Sequence, residues 1–315
     1  MKTSTLFLTL LLSASLAAAQ SFPSKTVRFV SGVTPGSASD TMARILAERL
    51  TQTLGQSVIV ENRLGAGGLV GAKYVAQQAE PDGHTIMMYA SAFTVSTLLN
   101  PGLEPKEMQP LAMVATIPTI LITPPGRYKS HAEFVKAAKA QPGKLVCATA
   151  GVGSATHMAL ERFRFAAGFE VLNVHTKGAG EALTEVVSGR ADCYFALVFQ
   201  AAKMRPAGKV DAHLVSGPQR SSLMPELPTT VEAGYPNSDY NFWVGALVSA
   251  KTPRPIVERL HKEINDAVQS PAINERIRKL GAEPLMLSLQ QFEALVAAEL
   301  EANARLIKLA GIKAN

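Results

Sequence analysis

The feature that most narrows the fold of this chain is a repeated alternation of short apolar strands with amphipathic helices, broken once by a proline. Thr26–Ser31 reads as a buried strand, and Asp40–Leu54 follows with Met42, Ile45, Leu46, Leu50 and Leu54 at helical spacing. Ser57–Glu61 and Thr85–Tyr89 read as strands, and Val70–Gln78 and Phe93–Leu99 as helices. Such alternation predicts largely parallel, helix-covered sheet. Leu111–Thr123 is then a long apolar strand, interrupted by Pro118 and ending in Thr123-Pro124-Pro125-Gly126, where the chain runs out of one lobe. A second series begins there, with helices at His131–Ala140, Ser154–Ala167 and Gly180–Ser188 and strands at Lys144–Thr149, Val171–His175 and Ala191–Leu197. Asn241–Ser249 is the second crossing, followed by helices at Pro255–Gln269, Pro271–Leu280 and Gln290–Ala310. The expected architecture is α/β, with a discontinuous first lobe (20–118 and 244–315) and a continuous second lobe (119–243) joined by two crossing strands. A cleft between such lobes gathers the loops at the carboxyl ends of both sheets.

Ahead of the first strand, Lys2 precedes an apolar run from Leu6 to Leu16, and Ala17-Ala18-Ala19 supplies small residues. That is the layout of a signal peptide over residues 1–19, cleaved near Ala19 and too short to span a bilayer. The mature protein is expected in the periplasm, without a lipid anchor because no cysteine sits at the processing point. With 47% hydrophobic and 18% charged residues, 315 residues suffice for two cores and exclude extended disorder. The net charge of +6 is scattered along the chain, which argues against a nucleic-acid surface and favours an anionic ligand.

Neither a metal nor a cofactor is expected. The six histidines lack ligand spacing, and Gly65-Ala66-Gly67-Gly68-Leu69-Val70 departs from the dinucleotide fingerprint at its last position. Cys147 and Cys193 both fall in apolar, strand-like segments. They pair if those strands are neighbours; otherwise they are buried free thiols, the reading favoured on sequence.

The chemistry concentrates in two loops of like construction. Thr34-Pro35-Gly36-Ser37-Ala38-Ser39-Asp40 joins the first strand to the first long helix, with Ser37 and Asp40 at capping-box spacing. Thr149-Ala150-Gly151-Val152-Gly153-Ser154-Ala155-Thr156-His157 does the same in the second series. Glycine permits close backbone approach, and unpaired first-turn amides together with the helix dipole favour an anion. Two such helix starts facing one cleft point to an anion site; taken singly, each is a well-capped helix. Ser154 and His157 share one helical turn, which does not give the geometry of an activated nucleophile, so His157 is expected to pack or hydrogen-bond within that turn. His175 and Lys177 end a strand where either side chain reaches the cleft rim or stays solvated. Asp192 serves structure or ligand equally well.

The motifs, in order, are Phe22-Pro23-Ser24-Lys25, Pro35-Gly36 to Asp40, Val60-Glu61-Asn62-Arg63 with Gly65-Ala66-Gly67-Gly68, Pro81-Asp82-Gly83, Gly143-Lys144-Leu145, Gly151 to His157, Lys177-Gly178, Leu227-Pro228-Thr229 with Glu232-Ala233-Gly234, and Leu280-Gly281-Ala282-Glu283-Pro284. Over its whole mature length the chain thereby resembles the Bug family, the extracytoplasmic solute-binding proteins of tripartite tricarboxylate transporters. The resemblance implies a type II periplasmic binding protein fold and a carboxylate (di-, tricarboxylate or aromatic acid) held by backbone amides and hydroxyls, with closure of one lobe on the other. By position it implies contacts from Gly36, Ser37, Ala38, Ser39 and Asp40, from Ser91 and Ala92, and from Ala150, Gly151, Val152, Gly153, Ser154, Ala155 and Thr156. Val33, His175-Thr176 and Ala196 depart from the family pattern. Ala196 stands where a second acid is common, which argues against an ammonium-bearing ligand, and His175 adds hydrogen bonding. The implied partners are membrane permease subunits, with a membrane sensor as the alternative and an exported serine hydrolase using Ser154 or Ser37 as the rival of another class. A monomer is expected.

Overall fold

The computed structural model describes residues 22–313, so the signal-peptide reading of residues 1–19 lies outside the described residues. In chain order the elements are β1 (Val27–Ser31), α1 (Ala38–Leu54), β2 (Val58–Asn62), α2 (Leu69–Lys73, widening into a π turn at Tyr74–Gln78), β3 (Thr85–Ala90), α3 (Ala92–Leu99), β4 (Met108–Thr116) and β5 (Thr119–Thr123). They continue with α4 (His131–Ala140), β6 (Val146–Thr149), α5 (Ala155–Ala167), β7 (Leu172–His175), α6 (Ala179–Val187), β8 (Cys193–Leu197), α7 (Val198–Met204) and β9 (Asp211–Val215). The last are β10 (Trp243–Ser249), α8 (Arg254–Gln269), α9 (Pro271–Lys279), β11 (Glu283–Pro284) and α10 (Leu289–Ala310).

The strands form two sheets, ordered β11-β4-β10-β3-β1-β2 and β7-β6-β8-β5-β9. Within each, the strands of the βα series are parallel: β1 with β2 and β3, and β6 with β7 and β8. A strand arriving from the other sheet runs the opposite way. Thus β10 lies antiparallel between β3 and β4, and β5 antiparallel between β8 and β9. The strand expected over Leu111–Thr123 is therefore two strands in different sheets. Pro118 lacks the N–H that would continue the ladder, and the chain pivots there. Ile117 N–H donates to Phe242 O at 2.7 Å and Val198 N–H to Pro118 O at 3.0 Å, which ties the pivot to the returning segment and to α7.

The central strands β4, β5, β8 and β10 are covered on both faces and read as continuous apolar runs, while the edge strands β2 and β7 are partly exposed. One core joins α1 and α8 (Met42, Leu46, Leu50, Leu260, Ile264) to β1 and β4, and continues through Ile117 to Ile120, Ala148, Tyr194 and Val186 of the second sheet. The outer face of the first sheet packs Tyr89, Phe93, Trp243 and Phe292, the last two edge to face with ring centroids 5.1 Å apart. The outer face of the second sheet packs Phe134, Phe163, Phe195 and Leu214.

Cys147 and Cys193 are disulfide-bonded, which corrects the free-thiol reading. Their strands are parallel neighbours and the two residues face each other in register, with Cα atoms 4.6 Å apart, within bridging distance. Ala196 is fully buried on β8.

Candidate functional site

The loop before α1 is built around Asp40. Gly36 takes φ +82°, a conformation suited to glycine, and its N–H donates to Asp40 Oδ2 at 2.9 Å. Arg44 grips the same carboxylate through Nε and Nη2, both at 3.0 Å, and Asn62 Nδ2 donates to it at 2.8 Å while also donating to Val33 O. Burial pushes the Asp40 carboxyl up, but the bonds from Arg44, Gly36 and Asn62 outweigh it and hold it below the usual range. Asp40 is thus the anchor of its loop and its charge is locally matched. Ser37 caps the helix by accepting from Asp40 N–H. The first-turn amides of Ala38 and Ser39 have no helix carbonyl to bond.

The loop before α5 has its own anchor, His157. Its Nδ1 accepts from Gly153 N–H at 3.1 Å, reaching back from the first helical turn to the loop ahead of the Ser154 cap. Burial lowers its pKa to about 4, with Glu161 opposing and His175 and Arg164 adding, so the ring is neutral near pH 7. Glu161 is itself held by Arg164 at 2.6 Å and Asn173 at 2.7 Å. Ser154 caps α5 by accepting from His157 N–H at 3.3 Å, and Ala150 N–H donates to Thr156 Oγ1 at 2.9 Å. The Ser154 hydroxyl does not meet a ring nitrogen of His157: the acceptor nitrogen is occupied by Gly153.

A cavity of about 580 Å³ opens between the two sheets. Gly36, Ser37, Ala38, Thr41 and Met42 of the α1 end wall one side, with Lys279 and Leu280 from the end of α9. Ala179, at the start of α6, and Leu197 and Phe199 wall the other, and Ile117 and Phe242 of the two crossing segments form its back. Of the residues named from sequence, Gly36, Ser37 and Ala38 line this cavity. Ser39 and Ala92 line instead a small recess of about 40 Å³ with Val33 and Gly68. Ser91 is buried at the start of α3, 2.9 Å from the Tyr240 hydroxyl.

The residues Ala150, Gly151, Val152, Gly153, Ser154, Ala155 and Thr156 are not among those lining the larger cavity. Their loop packs on α3: a Cβ added at Gly153 would stand 2.9 Å from Val95 Cγ1. His175 is exposed with Nδ1 2.7 Å from Thr149 Oγ1, and Lys177 is exposed. Ala196, without exposed surface, adds nothing to the cavity wall.

Sequence reasoning passed over the start of α6 and the apolar wall. A signal existed for the former: Thr176 Oγ1 accepts from Gly178 N–H and Glu181 accepts from Lys177 N–H, a hydroxyl and an acid that fix the turn leading into a helix that presents Ala179. Nothing in the local pattern distinguishes Phe199 and Phe242 from core aromatics. Among the described residues no three His, Cys, Asp or Glu side chains gather as a metal site, and no helix is long and apolar enough to cross a membrane.

Residues 42–312 match the sequence profile of the tripartite tricarboxylate transporter family receptor. The chain belongs to this family. The receptor is 35% identical over 265 residues to the UPF0065 protein in the tcbD-tcbE intergenic region of Pseudomonas sp. strain P51, covering 82% of this chain and 79% of that one. Its fold superimposes on the periplasmic binding protein BugD with a TM-score of 0.76 at 31% identity, over 93% of this chain and 99% of the other. It likewise superimposes on R. palustris Rpa4515, a structure with adipate, with a TM-score of 0.79 at 28% identity over 93% and 99% of the chains. The periplasmic binding protein fold and the Bug-family resemblance of the sequence are both met by these relatives.

Proposed function

We propose that this receptor captures a small carboxylate between two lobes, residues 20–118 with 244–315 and residues 119–243, and delivers it unchanged to the permease subunits of a tripartite transporter. The observation that carries the reading is the cavity between the sheets, which combines a helix N-terminus at Gly36–Ala38 with a second at Ala179 and an apolar back. Helix starts bind anions through free amides and the dipole, and the apolar wall suits a hydrocarbon body. The relative with adipate supports a carboxylate as the head group. On this reading Ser37 and the Ala38 and Ser39 amides contact the carboxylate and the start of α6 at Ala179 faces it from the second lobe; the loop from Ala150 to Thr156, outside this cavity, comes to the ligand when the lobes close, and His175 and Lys177 stand at the rim. Asp40 holds its loop from behind. The receptor is not an enzyme: Ser154 has no base on its hydroxyl, and Ser37 is engaged as a cap. Export by the segment ending near Ala19 places it in the periplasm, as a monomer.

A thermal-shift screen of refolded, ligand-stripped protein tests this. Acetate, benzoate, malate, adipate and citrate are compared with neutral analogues. A ligand at about a hundredfold its dissociation constant stabilises by roughly 2.7 kcal/mol and raises Tm by several degrees. A rise confined to acids is expected; no rise with any acid, or a larger rise with the neutral compounds, overturns the reading.

A further inference from the structure

The cavity between the sheets is unevenly furnished. Its hydroxyls, those of Ser37 and Thr41, both belong to the start of α1. Most of the remaining wall is hydrocarbon, from Met42, Ile117, Leu197, Phe199, Phe242 and Leu280. Small-molecule sites are commonly built this way, with a few polar groups fixing one end of a ligand whose body meets apolar side chains.

Charge is scarcer still. Among the described residues the wall holds one ionisable side chain, Lys279, and Glu275, one turn back along α9, already meets its charge at 2.7 Å. A second carboxylate placed at the start of α6 would meet Glu181, which accepts from Lys177 N–H at 3.0 Å and which, unlike Asp40, no arginine grips among the described residues. The two helix starts therefore face one head group. A second charge on the ligand would lie against hydrocarbon, stripped of water without a partner.

Phe199 is the part of that wall whose exposure the packing does not explain. In the same stretch of α7, Val198 and Ala201 are buried, whereas Phe199 is 42% exposed. Its base rests against the first lobe: a Cβ added at Gly281, in the turn after α9, would stand 3.0 Å from Phe199 Cβ. The side chain is thus held at its root and lines the cavity with apolar surface still free to be covered. Aromatic side chains bring large apolar area to such contacts.

We infer that the substrate class of this receptor is the singly charged carboxylate with an apolar body, and that Phe199 selects it by covering that body. The inference rests on the carboxylate reading above and narrows it, because a dicarboxylate of the same carbon skeleton brings a charge against the hydrocarbon wall.

The test is calorimetric titration with matched pairs, hexanoate against adipate and benzoate against terephthalate, with hexanamide and benzamide as neutral controls. The pairs are compared first in the wild type, which needs no variant. Each monoacid is expected to bind at least about tenfold more tightly than its diacid. Phe199→Ala and Phe199→Leu follow, with melting points recorded without ligand. Phe199→Ala weakens the monoacids about tenfold and the diacids less, so the gap narrows, while Phe199→Leu keeps apolar surface and loses less. A gap below tenfold in either wild-type pair, equal losses for monoacid and diacid, or unchanged monoacid affinity in Phe199→Ala overturns the inference and leaves the carboxylate reading standing. A wild type that binds none of the four acids, or binds the amides as tightly, overturns both.

Discussion

At the scale of single residues, the loop that reaches the cavity is only as firm as Asp40. Its carboxylate is almost fully buried and takes bonds from a guanidinium, a carboxamide and the Gly36 amide. Asp40→Asn keeps the shape but turns a donor toward donors. Because Arg44 is half exposed and stays hydrated, the loss is expected to be moderate, on the order of 2 kcal/mol in urea unfolding. The pH dependence has a definite sign. The folded pKa is lowered, so the contribution is present above the unfolded value near about 3.9 and is lost as pH falls through the lowered folded value. The wild type should therefore shed more stability than Asp40→Asn between pH ~5 and pH ~2. Equal acid slopes in the two proteins would show that the ion pair is solvated and contributes little.

At the scale of elements, the second sheet depends on pairing β6 to β8, and the disulfide closes a loop of 46 residues between them. Chain-entropy arguments for a loop of that size give about 4 kcal/mol, an upper figure. Cys147→Ala with Cys193→Ala should lower unfolding stability by about 2–4 kcal/mol without moving ligand affinity, since neither cysteine reaches the cavity. A drop in affinity matching the drop in stability would mean the bridge also shapes the site. Sequence alone left this bridge open because spacing along the chain does not say which strands are neighbours. The same limit explains what else was legible. Helices such as His131–Ala140 declare themselves by local periodicity and a serine cap, and came out with their observed limits. By contrast β9, α7 and β11 are short segments whose character comes from their place at a sheet edge or pivot. The Gly36–Ala38 loop was legible because a helix start carries its chemistry locally. The wall from Phe199, Phe242 and Leu280 was not, because three distant segments meet only in the fold.

At the scale of the whole molecule, the two sheets are joined by more than the crossing strands. Arg162 of α5 reaches Asp239 O at 2.8 Å and Asn303 of α10 at 3.1 Å, and Asn303 bonds Thr94 of α3 at 2.8 Å. One turn along α10, Glu299 is buried against Trp243 of the returning strand, whose indole N–H donates to it at 2.9 Å. Burial pushes this carboxyl up to about 7, with Trp243 and Arg162 pulling it only part of the way back. The folded protein thus keeps a proton that the unfolded chain releases near pH ~4.3. Linkage then makes stability fall as pH rises from there through about 7, where the charged form must be buried. The full difference is on the order of 3 kcal/mol. Gln at this position still accepts from the indole and carries no charge. Glu299→Gln should therefore match the wild type near pH ~4 and gain on it steadily up to pH ~8, in denaturant midpoints measured at each pH with unchanged m-values. Parallel pH profiles would mean that the carboxylate ionises at its ordinary pKa, with Arg162 close enough to neutralise it. The charge would then belong to the contact between the sheets, and removing it should weaken that contact.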